Sequence, residues 1–230
     1  MLNLMRLEMK KYKLGSYIKG AVLANIVIAV TFVAMLFISH AESELVFNNY
    51  TEALATIDAI IRAIFIIFAA TLISKLIIVE FKSKTINTLF LYPINRKKLI
   101  AAKLVIVILF TFVSIIFSNV FVTAVFSVVT DYFVLLPGTL TAAIITQHAS
   151  AVLMNAIATA GICLIPLYFG MKKYSVPATI ISSILIVLVV SSNSGSFSLN
   201  DIIVIPITLA IIGVSIAYFS IRNIDKTDLK

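Results

Sequence analysis

Apolar runs near the length of a bilayer constrain this chain more than any other feature. They fall at residues 20–38, 59–79, 104–129, 142–169, 174–190 and 202–221. A helix rises 1.5 Å per residue, so about 20 apolar residues cross a hydrocarbon core of about 30 Å. Charged residues make up 12% of the chain and hydrophobic residues 61%, with a mean hydropathy of +1.13. Soluble domains carry about 25% charged residues, so this pattern excludes a soluble globular fold. The expected fold is all-α: one polytopic membrane domain over residues 1–230 with six spanning helices. The fifth run is apolar only over residues 176–190, about 22 Å long. It must borrow Lys173 to Ser175, thin the bilayer or belong to a broken helix. Pro206 is expected to bend the sixth.

The charges are sorted by side. Sixteen of the 18 Lys and Arg fall in residues 1–19, 80–103, 172–173 and 222–230, which alternate with loops holding none. The exceptions are Arg62 and Lys75, near span ends, which are expected to snorkel toward headgroups along their own stems. The opposite loops hold Glu42, Glu44, Glu52, Asp58, Asp131 and Asp201. The positive-inside rule then places both termini and residues 80–103 in the cytoplasm. With the cations explained this way, the net charge of +8 is no signature of nucleic-acid binding. Residues 1–19 mix five basic residues with an apolar face, which suits a helix lying in the headgroup layer. The run at 20–38 exceeds the apolar core of a signal peptide and is read as a retained helix.

Residues 80–103, EFKSKTINTLFLYPINRKKLIAAK, are the longest polar interruption. Thr85, Ile86, Leu89 and Phe90 fall at helical spacing on one face, opposite Lys84, Asn87 and Thr88. Pro93 ends that turn by pushing Tyr92 out of the α region. The stretch reads either as a short docking helix or as a solvated loop with a few buried anchors. Asn95 could cap the following helix, yet Arg96, Lys97 and Lys98 would then sit at its N-terminus, where the dipole disfavours cations. Anionic lipid or an acidic partner surface explains them better.

Enzymatic signals are missing. No phosphate-binding loop or dinucleotide fingerprint occurs among seven glycines, and the two histidines, His40 and His148, lie apart without metal-ligand spacing. Cys163 is the only cysteine, so no internal disulfide forms. Every acidic residue is expected in a loop or at a span end, which argues against an ion-coupled carrier. Span four is the most polar. Gln147, His148 and Asn155 must find partners in hydrocarbon, as lining of a substrate path or subunit seam, or as plain interhelical hydrogen bonds. A pH switch at His148 is a further option.

The basic N-terminal helix, six spans and the order Glu80, Lys84-Thr85, Leu89, Tyr92-Pro93-Ile94-Asn95-Arg96, Lys103 between spans two and three resemble the permease subunit of type-2 ABC exporters. In that family the first cytoplasmic loop commonly carries an acidic residue, Gly-Thr, a leucine-rich turn, Pro-Ile-Ser-Arg and a Lys opening span three. Lys84 departs from the Gly and Asn95 from the Ser. The resemblance implies an interfacial elbow helix over residues 1–19 and a coupling helix between spans two and three. Lys84, Thr85, Ile86, Leu89, Phe90, Tyr92, Pro93 and Arg96 would meet a cytosolic ABC ATPase, with ATP and Mg bound by that partner and no cofactor in this chain. It further implies a dimer with a second copy or a paralogue, while the basic inner loops predict an anionic bilayer and the placement of the charges no nucleic acid. Small permeases of this kind resemble exporters of, or immunity proteins against, antimicrobial or toxic peptides, so a peptide or other lipophilic substrate is expected. Two other functions fit the residues: a membrane immunity or scaffold protein that transports nothing, and a secondary carrier.

Overall fold

The computed structural model describes residues 2–12, 15–42, 47, 49–83, 96–133, 140–191, 193–194, 197–198 and 204–223. Helices account for nearly all of them. In chain order these are α1 (Leu2–Lys11), α2 (Gly15–Glu42) and α3 (Tyr50–Ile73), followed by a π-helical turn (Ser74–Ile78) and α4 (Val79–Lys82). Next come α5 (Arg96–Phe133), α6 (Ala142–Ile162), α7 (Ile165–Lys173) and α8 (Val176–Val190). A two-residue antiparallel ribbon, β1 (Asn193–Ser194) with β2 (Phe197–Ser198), precedes α9 (Val204–Asn223). Four helical stretches among the described residues are long and apolar enough to cross a membrane: Gly15–His40, Tyr50–Lys82, Lys97–Phe133 and Ala142–Lys172. Val176–Val190 and Pro206–Ser220 are shorter apolar helices.

The chain forms two compact units, each discontinuous in sequence. The first comprises residues 1–13, 63–112 and 157–230; the second comprises 14–62 and 113–156. In the second, Phe32 packs on Phe47 and edge-on against Phe126, and Phe37 meets Phe133. The Tyr50 hydroxyl donates to Asp131 across 3.2 Å. In the first, Ile66, Ile162 and Ile165 form a buried apolar cluster with Leu209 and Ile216 against it.

Two local features shape the first unit. The ladder from α6 into α7 breaks at Cys163 and Leu164, because Pro166 lacks the N–H that a continuous helix would need. Cys163 still donates its N–H to Thr159 and Leu164 to Gly161, so these two N–H groups stay satisfied across the break. The second feature is close helix contact. A Cβ on Gly213 would overlap the Gly161 carbonyl, so α9 and the end of α6 touch backbone to backbone. Several hydroxyls within the apolar helices are satisfied locally: Thr111 donates to Val107 O, Thr130 to Phe126 O and Ser182 to Thr179 O, whereas those of Ser74, Ser118 and Thr123 have no partner among the described residues. That back-bonding lets a polar side chain sit in hydrocarbon without a second helix.

Candidate functional site

The π turn at Ser74–Ile78 widens the helix by one residue, with Val79 N–H bonding to Ser74 O. Within this turn the Leu76 carbonyl accepts from the Nζ of Lys103 at 2.8 Å. Lys103, on α5, is completely buried. One turn past Leu76, on α4, the buried Glu80 carboxylate accepts from the same ammonium. Glu80 also accepts from Lys11 at 2.7 Å and from the Tyr12 hydroxyl. Glu8, buried on α1, stands 3.5 Å from the Lys103 ammonium. The Tyr12 ring lies 5.1 Å from the Lys11 ammonium and 5.3 Å from that of Lys103, within cation–π range.

This cluster balances two carboxylates with two ammonium groups, and that balance makes its burial tolerable. An unpaired buried ammonium would cost several kcal/mol; close pairing and extra hydrogen bonds compensate. Burial, the hydrogen bond to Glu80 and the negative charges of Glu80 and Glu8, in that order, push the Tyr12 hydroxyl well above the usual tyrosine range. Tyr12 therefore stays protonated and donates. In structural terms the cluster ties the end of α1 to both stems that flank residues 84–95, namely α4 and the first two turns of α5. Beside it, Phe81 stacks on Tyr174, 5.6 Å between centroids; Tyr174 caps α7 in the left-handed conformation at φ 45°.

The residues expected to meet an ATPase, Lys84, Thr85, Ile86, Leu89, Phe90, Tyr92 and Pro93, lie outside the described residues. Arg96 is the first residue of α5, so Arg96, Lys97 and Lys98 occupy its first turn. In the sequence Glu80 and Lys103 are only landmarks of a family motif, with no sign of their mutual contact. Their spacing of 23 residues carries no helical signal; only the three-dimensional return of α5 alongside α4 makes it.

A second buried polar cluster sits in the other unit. Asp58 lies about 12 Å into α3 from Tyr50, counted along the helix. Its carboxylate takes Arg62 Nε at 3.0 Å, Asn119 Nδ2 at 3.2 Å and Asn155 Nδ2 at 2.8 Å. Asp58 and Arg62 are both buried, at 4% and 6% exposure. Two expectations fall here. Asp58 is in the interior of a helix, so the acidic residues are not all in loops or at span ends. Arg62 is buried rather than extended outward: one turn along the same helix face, it pairs with Asp58. Of the span-four residues, Asn155 joins this cluster, Gln147 is exposed, and the half-buried His148 keeps Nε2 without a hydrogen-bond partner among the described residues. Asn119 Oδ1 is similarly unpartnered. Asp58 was legible as an acid near an apolar run; its helical start at Tyr50, eight residues upstream, was not. No group of His, Cys, Asp or Glu among the described residues is arranged to hold a metal ion.

Comparison with known proteins bears on what a membrane protein with these features does. A sequence model of the ABC-2 family transporter protein matches residues 4–191. The chain is 43% identical over 227 residues to the uncharacterized protein YcbO of Bacillus subtilis (strain 168), covering 99% of this chain and all of that one. No solved structure matches. The family supplies the multi-pass membrane component of an ABC transporter, not its ATPase, and works with an ABC ATPase subunit. On a match covering most of its length, together with its apolar helices, the chain belongs to the ABC-2 transporter family as a membrane-embedded permease component.

Proposed function

We propose that the chain is a six-span exporter permease with both termini in the cytoplasm, paired with a second copy or a paralogous permease. Its substrate is a hydrophobic or amphipathic molecule, a peptide such as a bacteriocin, toxin or other antimicrobial. The two shorter apolar helices support the span count, and the sorting of cations into alternate loops supports the orientation. ATP and Mg belong to the partner ATPase. Residues 84–96 dock on it, with Ile86, Leu89 and Phe90 as the apolar contact. Asn155 and His148 lie near the path or the subunit seam.

One observation carries the coupling part of this reading: the buried Glu80–Lys103 pair joins the two stems of residues 84–95 and fastens them to α1 through Lys11 and Tyr12. A loop anchored at both stems by a buried ion cluster moves with its helices. ATPase closure pulling on the loop then displaces α4 and α5 together, as a rigid-body shift.

The test is purification in mild detergent, with ATP and vanadate to trap the closed motor, followed by reconstitution. A stoichiometric ATPase should co-purify. Ile86→Asp with Leu89→Asp should leave insertion intact and abolish transport. Glu80→Gln with Lys103→Gln, which removes one charge of each sign, should retain the ATPase yet lower transport per ATP hydrolysed. Unchanged transport in the first double variant overturns the docking role. Function with no ATPase present would instead make the chain an immunity or scaffold protein.

A further inference from the structure

The helices α7, α8 and α9 of the first unit enclose a groove of about 580 Å³, within the roughly 300–1,000 Å³ typical of small-molecule sites. Its walls are almost wholly apolar, including Ile165, Phe169, Leu185, Val190 and Leu209, and Lys172 is its single charged residue. The positions are ordered. Lys172 and Ala178 stand on either side of the α7–α8 turn at one end, while Ile165, Val190 and Leu209 stand at the other. From Ala178 to Val190 the groove runs about 18 Å along α8. An acyl chain fills about half of a core of about 30 Å, so one fits within this length. Its walls are held close together. A Cβ on Gly170 would overlap the Thr179 hydroxyl of α8, and the Gly161–Gly213 contact brings in α9.

We propose that this groove holds one anionic membrane lipid, its phosphate headgroup at Lys172 and an acyl chain laid along α8 toward Val190. Three features select this occupant. The groove is long enough for one acyl chain, its lining is apolar apart from Ser182, whose hydroxyl bonds to Thr179 O, and its one cation sits at the end where a headgroup would lie. Lys172 is exposed, so its ammonium is free to reach the headgroup plane while its stem covers the groove mouth. The inference is independent of what the permease exports.

The chain contains no tryptophan, so a single introduced indole reports on the groove alone. Leu185→Trp would be placed in bilayers containing brominated phosphatidylglycerol or brominated phosphatidylcholine, and its fluorescence quenching compared. Leu153→Trp, on an exposed position of α6 in the other unit, serves as the reference for ordinary bilayer contact. The expected preference for the anionic lipid at Leu185→Trp is about fivefold over the reference, the effect of one nearby lysine. Lys172→Gln should remove that preference and Lys172→Arg should keep it. Equal preference at the two tryptophans, or a preference at Leu185→Trp that survives Lys172→Gln, overturns the proposal. Protection of Leu185→Trp from both brominated lipids also overturns it, and would assign the groove to a second copy of the chain.

Discussion

The Glu80 and Asp58 clusters are both buried, both pair a carboxylate with a basic side chain, and both sit on the helical stretch from Tyr50 to Lys82. They differ in what they connect. Asp58 pairs with Arg62 one turn along the same helix, so that bond forms whenever α3 is helical. Among the described residues, the amides of Asn119 and Asn155 bring other helices to it. The partners of Glu80 among the described residues, Lys11, Tyr12 and Lys103, all come from α1 or α5 or their ends. A local pair holds a charge in hydrocarbon at little demand on the fold. A pair between segments makes each segment's position depend on the others, which suits a place where movement must be passed on.

The largest expected effect tests that dependence. Lys103→Met leaves Glu80 and Glu8 buried without their shared ammonium, and should cost about 3–5 kcal/mol in detergent unfolding measurements. A loss below about 1 kcal/mol would mean that Lys11 alone suffices, and the contrast between the clusters would fail. In the other unit Asp58→Leu should cost less, about 2–3 kcal/mol, because the long stem of Arg62 can carry its charge outward once released. Equal losses would show that Arg62 has no such escape.

Tyr12→Phe keeps the ring beside the two ammonium groups and removes only the donor to Glu80. About 1.5–3 kcal/mol is expected for a hydrogen bond to a charged acceptor. The pH dependence sharpens this. Since the folded state raises the hydroxyl above its ordinary value of 10.0, its stabilisation is complete below pH 10 and is lost as the pH climbs past that value. Thermal midpoints recorded from pH 8 to 11 should fall at the alkaline end for the native chain, and fall less for Tyr12→Phe. The smallest effect is expected from Asn155→Ala, about 1–2 kcal/mol. Its clearest readout is faster hydrogen exchange in the turns of α6 around Asn155 with none in α1, which would separate the two clusters.

Much of the architecture was legible because it is local. Transfer of apolar side chains into hydrocarbon adds up along a run, so the long helices and their approximate positions follow from composition alone. Pro166 was visible, and the break at Cys163 and Leu164 follows from its missing N–H. The π turn at Ser74–Ile78 was not, since SKLII carries no signal that separates i→i+4 from i→i+5 bonding. Of the candidate site residues, Asn155 was singled out as needing a partner in the membrane, and Asp58 is that partner. The sequence could not name it, because 97 residues separate the two.

By itself the chain of residues determined a helical membrane protein, the clustering of its cations into a few segments, and a polar segment between the second and third long helices. Those properties depend on each residue's own affinity for water, lipid or helix. Only the tertiary structure decided that Lys103 is buried rather than exposed, that Arg62 turns to Asp58 rather than to the headgroups, and that α1 is tied to the stems of residues 84–95. Each is a choice among partners. For a charge in a low-dielectric interior that choice is set by distance and geometry, which sequence separation does not encode.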